Sequence, residues 1–158
     1  MVFSQRLAAC AVVLVLSWAC GSQSTLPVAP TSDLSGHWQG FVEVPVFTPD
    51  GSDVVFWNRT TLTLQLDQQG LEVGGPLHLV LDGGLDLPGT WSGVLSVSDA
   101  PTTLAFFAKY QATTPSGAPC EGTFNGTLNV TTHEMQGSFN GNNCVRSYVG
   151  NLQATKDR

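Results

Sequence analysis

The chain is short of charge. Asp, Glu, Lys and Arg make up 11 % of its 158 residues, with six Lys+Arg against twelve Asp+Glu. No window is basic, and an acidic domain without a Lys/Arg stripe repels phosphate backbones, so nucleic acid is excluded as an expected partner. Helical periodicity is missing after residue 20, which argues against a helical domain. The apolar run Leu7 to Leu16 is the longest in the chain; it is too short for a membrane-spanning helix, which needs about 20 residues.

Site chemistry is equally sparse. There is no Gly-x-Ser-x-Gly elbow, and no glycine-rich loop opens a helix. His37, His78 and His133 stand far apart and none has a ligand partner at i+2 or i+4, so they read as strand and turn residues and not as metal ligands. Asp50-Gly51-Ser52-Asp53 and Asp82-Gly83-Gly84-Leu85-Asp86 lack the ordered oxygen ligands and final Glu of a calcium loop, and Asp with Gly is ordinary turn chemistry. Nothing pairs Glu43, Glu121 and Glu134 for glycosidic work. The expectation is a protein that is not an enzyme, with no catalytic residue, no metal and no cofactor.

Cysteine is scarce, at four residues. Cys10 and Cys20 fall in the first 20 positions, which leaves Cys120 and Cys144. Two cysteines in an exported domain predict one disulfide. The enclosed loop of about two dozen residues would stabilise the fold by roughly 3 kcal/mol in the chain-entropy model.

Export is predicted by residues 1–19. Arg6 supplies a positive start, Leu7 to Leu16 an apolar segment, and small Ala19 precedes Cys20. Ser17-Trp18-Ala19-Cys20-Gly21 resembles the lipobox of bacterial lipoproteins, departing from it in the Ser and the bulky Trp. Leu7-Ala8-Ala9-Cys10 matches that motif better letter by letter, but nine residues before Cys10 leave no room for a complete export signal. The resemblance implies that Cys20 is acylated and anchors the chain; plain secretion is the alternative. Gly21, not Asp, follows the Cys, which for such lipoproteins implies an outer-membrane anchor facing the periplasm or the cell surface. The expected layout is a signal peptide over 1–19, a lipidated Cys and flexible tether over 20–34, and a β-barrel domain over 35–158. Residues 21–33 are rich in Ser, Thr and Pro without periodicity, as a tether should be.

What the chain does have is glycine, with seventeen residues, and alternation. Leu62, Leu64 and Leu66 alternate with polar residues; Leu77, Leu79 and Leu81 flank His78 and Val80. Eight strands are predicted, at 36–47, 55–66, 71–81, 89–97, 102–111, 121–130, 134–141 and 144–154. A Gly-x-aromatic-x-Gly pattern recurs around Trp38, Trp91, Phe124 and Phe139. Its glycines share a strand face with the ring and leave room for it, which suits the coiling of a small closed sheet. Sequential strands with short links predict an all-β, antiparallel, eight-stranded up-and-down barrel, whose closure removes aggregation-prone edges. The Gly36-His37-Trp38 opening loosely resembles avidins and lipocalins, barrels closed at one end near the first-strand Trp. Trp38 is accordingly the expected closure. Avidin-type polar groups after that Trp are replaced by Gly40 and Phe41, so biotin binding is not implied. The overall resemblance is to small bacterial lipoproteins.

A meander sends alternate links to opposite ends. The links near 48–54, 82–88, 112–120 and 142–143 include three long ones; those at 67–70, 98–101 and 131–133 are tight. Long loops grouped on one rim are where a scaffold carries function. A small apolar or amphipathic ligand is expected at that rim, with Trp57, Trp91, Tyr110, Phe124 and Tyr148 as wall residues. The alternative is an interaction or structural module that contacts an envelope protein, including one that acts as a protease inhibitor. An internal cavity of roughly 300 Å³ or more would separate the two.

Overall fold

A computed structural model describes residues 33–47, 54–81, 83–96, 101–114, 116–143 and 146–158. Eight strands run in chain order: β1 (Gly36–Phe47), β2 (Val54–Gln69), β3 (Glu72–Val80), β4 (Asp86–Ser96), β5 (Thr103–Thr113), β6 (Pro119–Val130), β7 (Glu134–Asn142) and β8 (Ser147–Lys156). Each pairs antiparallel with its neighbour, and β1 pairs with β8 from Trp38↔Lys156 to Glu43↔Asn151. The sheet is therefore a closed, up-and-down, eight-stranded barrel, as the alternation predicts. Closure leaves every strand with two partners and no exposed edge.

The boundaries shift by one to three residues in both directions: β2, β4, β5, β6 and β8 extend into segments expected to be loop, while β3 and the start of β8 are shorter than expected. β2 continues to Gln69 and pairs with Glu72, so the β2–β3 turn is only Gly70 and Leu71. Gly70 takes φ 64° there, the left-handed conformation that a two-residue hairpin demands of its central residues. β4 begins at Asp86 and β6 at Pro119, while β8 starts at Ser147 and runs to Lys156. The links then become 48–53, 81–85, 114–118 and 143–146 at one end, against 70–71, 97–102 and 131–133 at the other. The expected contrast of long and tight ends is thus reduced, because ladder hydrogen bonds carry turn-forming residues into the sheet.

The interior is a checkerboard of rings and glycines. Tyr110 lies opposite Gly89 on one side and Gly122 on the other; Phe106 lies between Gly93 and Gly126. Phe139 likewise sits between Gly126 and Gly150. A methyl group on Gly122 would strike the Tyr110 ring, and one on Gly141 the Tyr148 ring. The recurring glycines therefore make the floor on which neighbouring-strand rings lie, so that large and small residues interdigitate across a narrow barrel.

Candidate functional site

The two ends of the barrel differ in filling. At the start of β1, Leu34 and Trp38 are both fully buried, together with Leu64, Leu66, Leu104, Leu128 and Met135. The Trp38 indole Nε1 donates a hydrogen bond of 2.8 Å to the Leu34 carbonyl. Gln68 fastens the same segment: its Oε1 accepts from the Leu34 N–H at 2.7 Å, and its own N–H donates to Ser35 Oγ at 3.2 Å. Lys156 Nζ adds a bond of 3.0 Å to the Asp33 carbonyl. The Ser35 backbone N–H, helped by the Ser35 hydroxyl, holds the exposed Asp33 carboxyl below its usual range. Trp38 closes the barrel here, and Leu34 is the plug over it.

The opposite end is a mouth. A cavity of about 120 Å³ opens there, lined by the aliphatic Val42, Val44, Leu79, Leu81 and Leu87 and by the polar Asn58, Thr60, Asn143 and Arg146, with Thr60 and Asn58 directly beside Val42 and Val44 across the β1–β2 ladder. Phe124, Phe139, Tyr110 and Tyr148 also line it. Thr60 is 8 % exposed and is the buried polar residue among the described residues. The volume is well below the roughly 300 Å³ that would single out a ligand carrier over an interaction module, so this cavity has room for a ligand no larger than about one ring. Below the mouth the barrel is packed with side chains.

The rings form a continuous run inward from the mouth. Tyr148 meets Phe139 at 6.0 Å between centroids, and Phe139 meets Phe124 at 5.4 Å. Phe124 in turn contacts Phe106 and Trp91 edge-on, and those two stack at 4.2 Å and 4°. Edge-to-face and offset contacts of this kind favour aromatic pairs beyond their area burial. The hydroxyls of Tyr110 and Tyr148 bond to each other at 2.9 Å. Burial pushes both phenols up, and for Tyr148 the Tyr110 hydroxyl adds to the effect. Both therefore stay protonated well above neutral pH. In such a pair one hydroxyl proton is spent on the partner, and the other hydroxyl retains a proton that can be donated into the cavity.

Of the five expected wall residues, Tyr110, Phe124 and Tyr148 line the mouth. Trp91 is 2 % exposed and lies deeper in the ring run. Trp57 is 49 % exposed; Asn58 and Thr60 on the same strand line the cavity instead. Trp57 has the opposite parity to Thr60, Leu62 and Leu64, so strand alternation puts it on the outer face, across from Pro45. The sequence reading missed Thr60, Asn58 and Arg146. For the first two, the parity of Leu62, Leu64 and Leu66 was the available signal. Cys120 opens β6 opposite Ala112, while Cys144 and Cys20 lie outside the described residues.

Among the described residues the outer wall carries the Arg59–Glu43 and Lys109–Glu121 ion pairs and a His78–Asp86 hydrogen bond. Across β3 to β6 the coiled sheet forms a shallow outer concavity of about 910 Å³, where Val94 and Phe107 stand beside Asp67 and Glu72. Among the described residues, no three His, Cys, Asp or Glu side chains cluster as metal ligands do. No helix among them is long and apolar enough to cross a membrane. The eight-stranded antiparallel barrel expected from the loose resemblance to avidins and lipocalins is present. No family model, no curated protein and no solved structure matches this chain, so no match supports the resemblance itself.

Proposed function

We propose that the chain is an exported lipoprotein, anchored through Cys20, whose barrel binds a small amphipathic ligand at the mouth. The observation that carries the reading is the contrast in filling. One end is sealed by Leu34 and Trp38; the other keeps a cavity of about 120 Å³ with apolar walls and a few convergent polar groups, the usual make-up of a ligand site. A volume of this size selects something near a single ring or a short branched chain and excludes lipid cargo. The tether joins at the sealed end, so an anchored molecule would present its mouth away from the outer membrane, toward the periplasm or the surroundings. Cys120 and Cys144 would form a disulfide that ties the start of β6 to the 143–146 link beside the mouth.

Native mass spectrometry of the protein purified from its own cell envelope tests this. An adduct lost on denaturation, on a chain carrying acyl groups and two hydrogens light, is the expected spectrum. A bare chain, unacylated or with two free thiols, would count against the corresponding part. Cys20→Ser should release the protein from the membrane fraction.

A second reading, contact with an envelope protein, draws on the outer concavity, where Phe107 and Val94 are 42 % and 53 % exposed. Exposed apolar groups that are contiguous mark interaction surfaces more than scattered ones do. Co-purification that is lost with Phe107→Ser and kept when the mouth is blocked would favour it.

A further inference from the structure

Among the described residues the lining of the mouth includes Arg146 and no carboxylate, in a protein with twice as many Asp+Glu as Lys+Arg. Arg59 and Lys109 are held on the outer wall by Glu43 and Glu121. Arg146 forms no ion pair among the described residues. Its backbone is fixed by Asn143, whose N–H donates to the Arg146 carbonyl and whose Oδ1 accepts from the Arg146 N–H, both at 3.2 Å. These bonds fix the Arg146 backbone beside the hollow that its side chain helps to line.

We propose that the mouth takes a small organic monoanion, a carboxylate on a compact apolar body, with its charge against Arg146; this rests on the reading of the mouth as a ligand site. A guanidinium matches a carboxylate through two parallel hydrogen bonds, and such charge-assisted bonds are the strong ones. The spare hydroxyl proton of the Tyr110–Tyr148 pair supplies a further donor, and Asn58 and Thr60 add polar atoms elsewhere in the lining. The five aliphatic side chains and the Phe124 and Phe139 rings make up most of the lining, so the body of the ligand must be largely apolar. Size sets the rest: about 120 Å³ is close to the roughly 150 Å³ of an apolar cavity that admits one benzene ring. A ring seated among Leu79, Leu87 and Phe139 with its carboxylate at the rim satisfies every group named.

Titration calorimetry with benzoate and its neutral counterpart benzyl alcohol tests the assignment. The protein is used as cells process it, beside Arg146→Gln and the mouth-filling Leu87→Trp. Benzoate should bind at least about ten-fold more tightly than benzyl alcohol, and more weakly as salt is added. Arg146→Gln should remove that ten-fold preference and leave the alcohol unchanged. Leu87→Trp should abolish both, with circular dichroism showing the barrel intact. Equal affinities, or a preference that survives Arg146→Gln, would overturn the anion assignment and leave the mouth a neutral-ligand site. Binding that survives Leu87→Trp would place the ligand elsewhere and overturn it too. No binding of either probe to the folded protein would overturn the ligand reading itself, and the anion assignment with it.

Discussion

The sealed end and the mouth are built from the same eight strands, yet one is solid and the other hollow. At the sealed end the chain adds a ninth contributor, the 33–35 segment, whose Leu34 drops over Trp38 and whose backbone polar groups are met by Gln68, Trp38 and Lys156. At the mouth no segment among the described residues plays that part, and two of the four rings that line it are tyrosines, whose hydroxyls meet each other there. The lesson is that in a barrel this narrow, filling depends on what caps the ends more than on the strands themselves.

The largest effect should come from breaking the seal. Trp38→Ala removes a fully buried side chain and leaves the Leu34 carbonyl without its donor; a loss of about 3–5 kcal/mol is expected. Urea denaturation measures it, and a loss below about 1 kcal/mol would mean that the Leu34–Trp38 contact does not hold the end shut.

Gly122→Ala should come next, at about 1–3 kcal/mol, because its methyl group meets the Tyr110 ring and a packed barrel must move to admit it. Gly70→Ala is a useful contrast: space is open there, and the cost is confined to the strained φ of 64°, about 1 kcal/mol. If the two cost the same, ring seating is not what Gly122 provides.

The tyrosine pair predicts a pH effect. Folded-state phenol pKa values are raised, so the folded chain holds these protons when the unfolded chain has lost them. The contribution is fully present below the unfolded value near 10 and is lost as pH rises through the folded value. The chain has only two tyrosines, so ultraviolet titration reads this pair alone. Both phenols should titrate above the free-tyrosine range while the barrel is folded, and a normal titration near pH 10 would break the pair. Tyr148→Phe should lower stability by about 1 kcal/mol near neutral pH and reduce the alkaline decline.

The smallest effect is expected on the outer wall. Trp57→Ser should change stability by no more than about 0.5 kcal/mol and leave any mouth ligand bound. A larger change in binding would return Trp57 to the wall of the site.

Much of the barrel was legible because its signal is local. Alternation such as Leu62-Leu64-Leu66 reports which strand face is buried, and eight short alternating runs joined by turn residues leave few topologies. The four Gly-x-aromatic-x-Gly copies were also readable as packing devices. Which ring each glycine accommodates was not, since Gly122 serves Tyr110 and Gly141 serves Tyr148 across a strand boundary. The mouth was half legible. Tyr110, Phe124 and Tyr148 follow from parity, whereas Trp57 lies on the outer face because it shares the parity of Thr61 and Thr63, not that of Leu62 and Leu64. Arg146 carried no sequence signal, being one charged residue in a turn.

The sequence by itself determined the strands, their number and their inward faces, because period-two hydrophobicity and turn chemistry act over a few residues. The register, the closure of β1 on β8, the Leu34 plug and the hollow beside Arg146 were decided only in three dimensions. Each depends on residues far apart in the chain, such as Tyr110 with Tyr148 or Leu34 with Gln68, whose meeting no local pattern encodes.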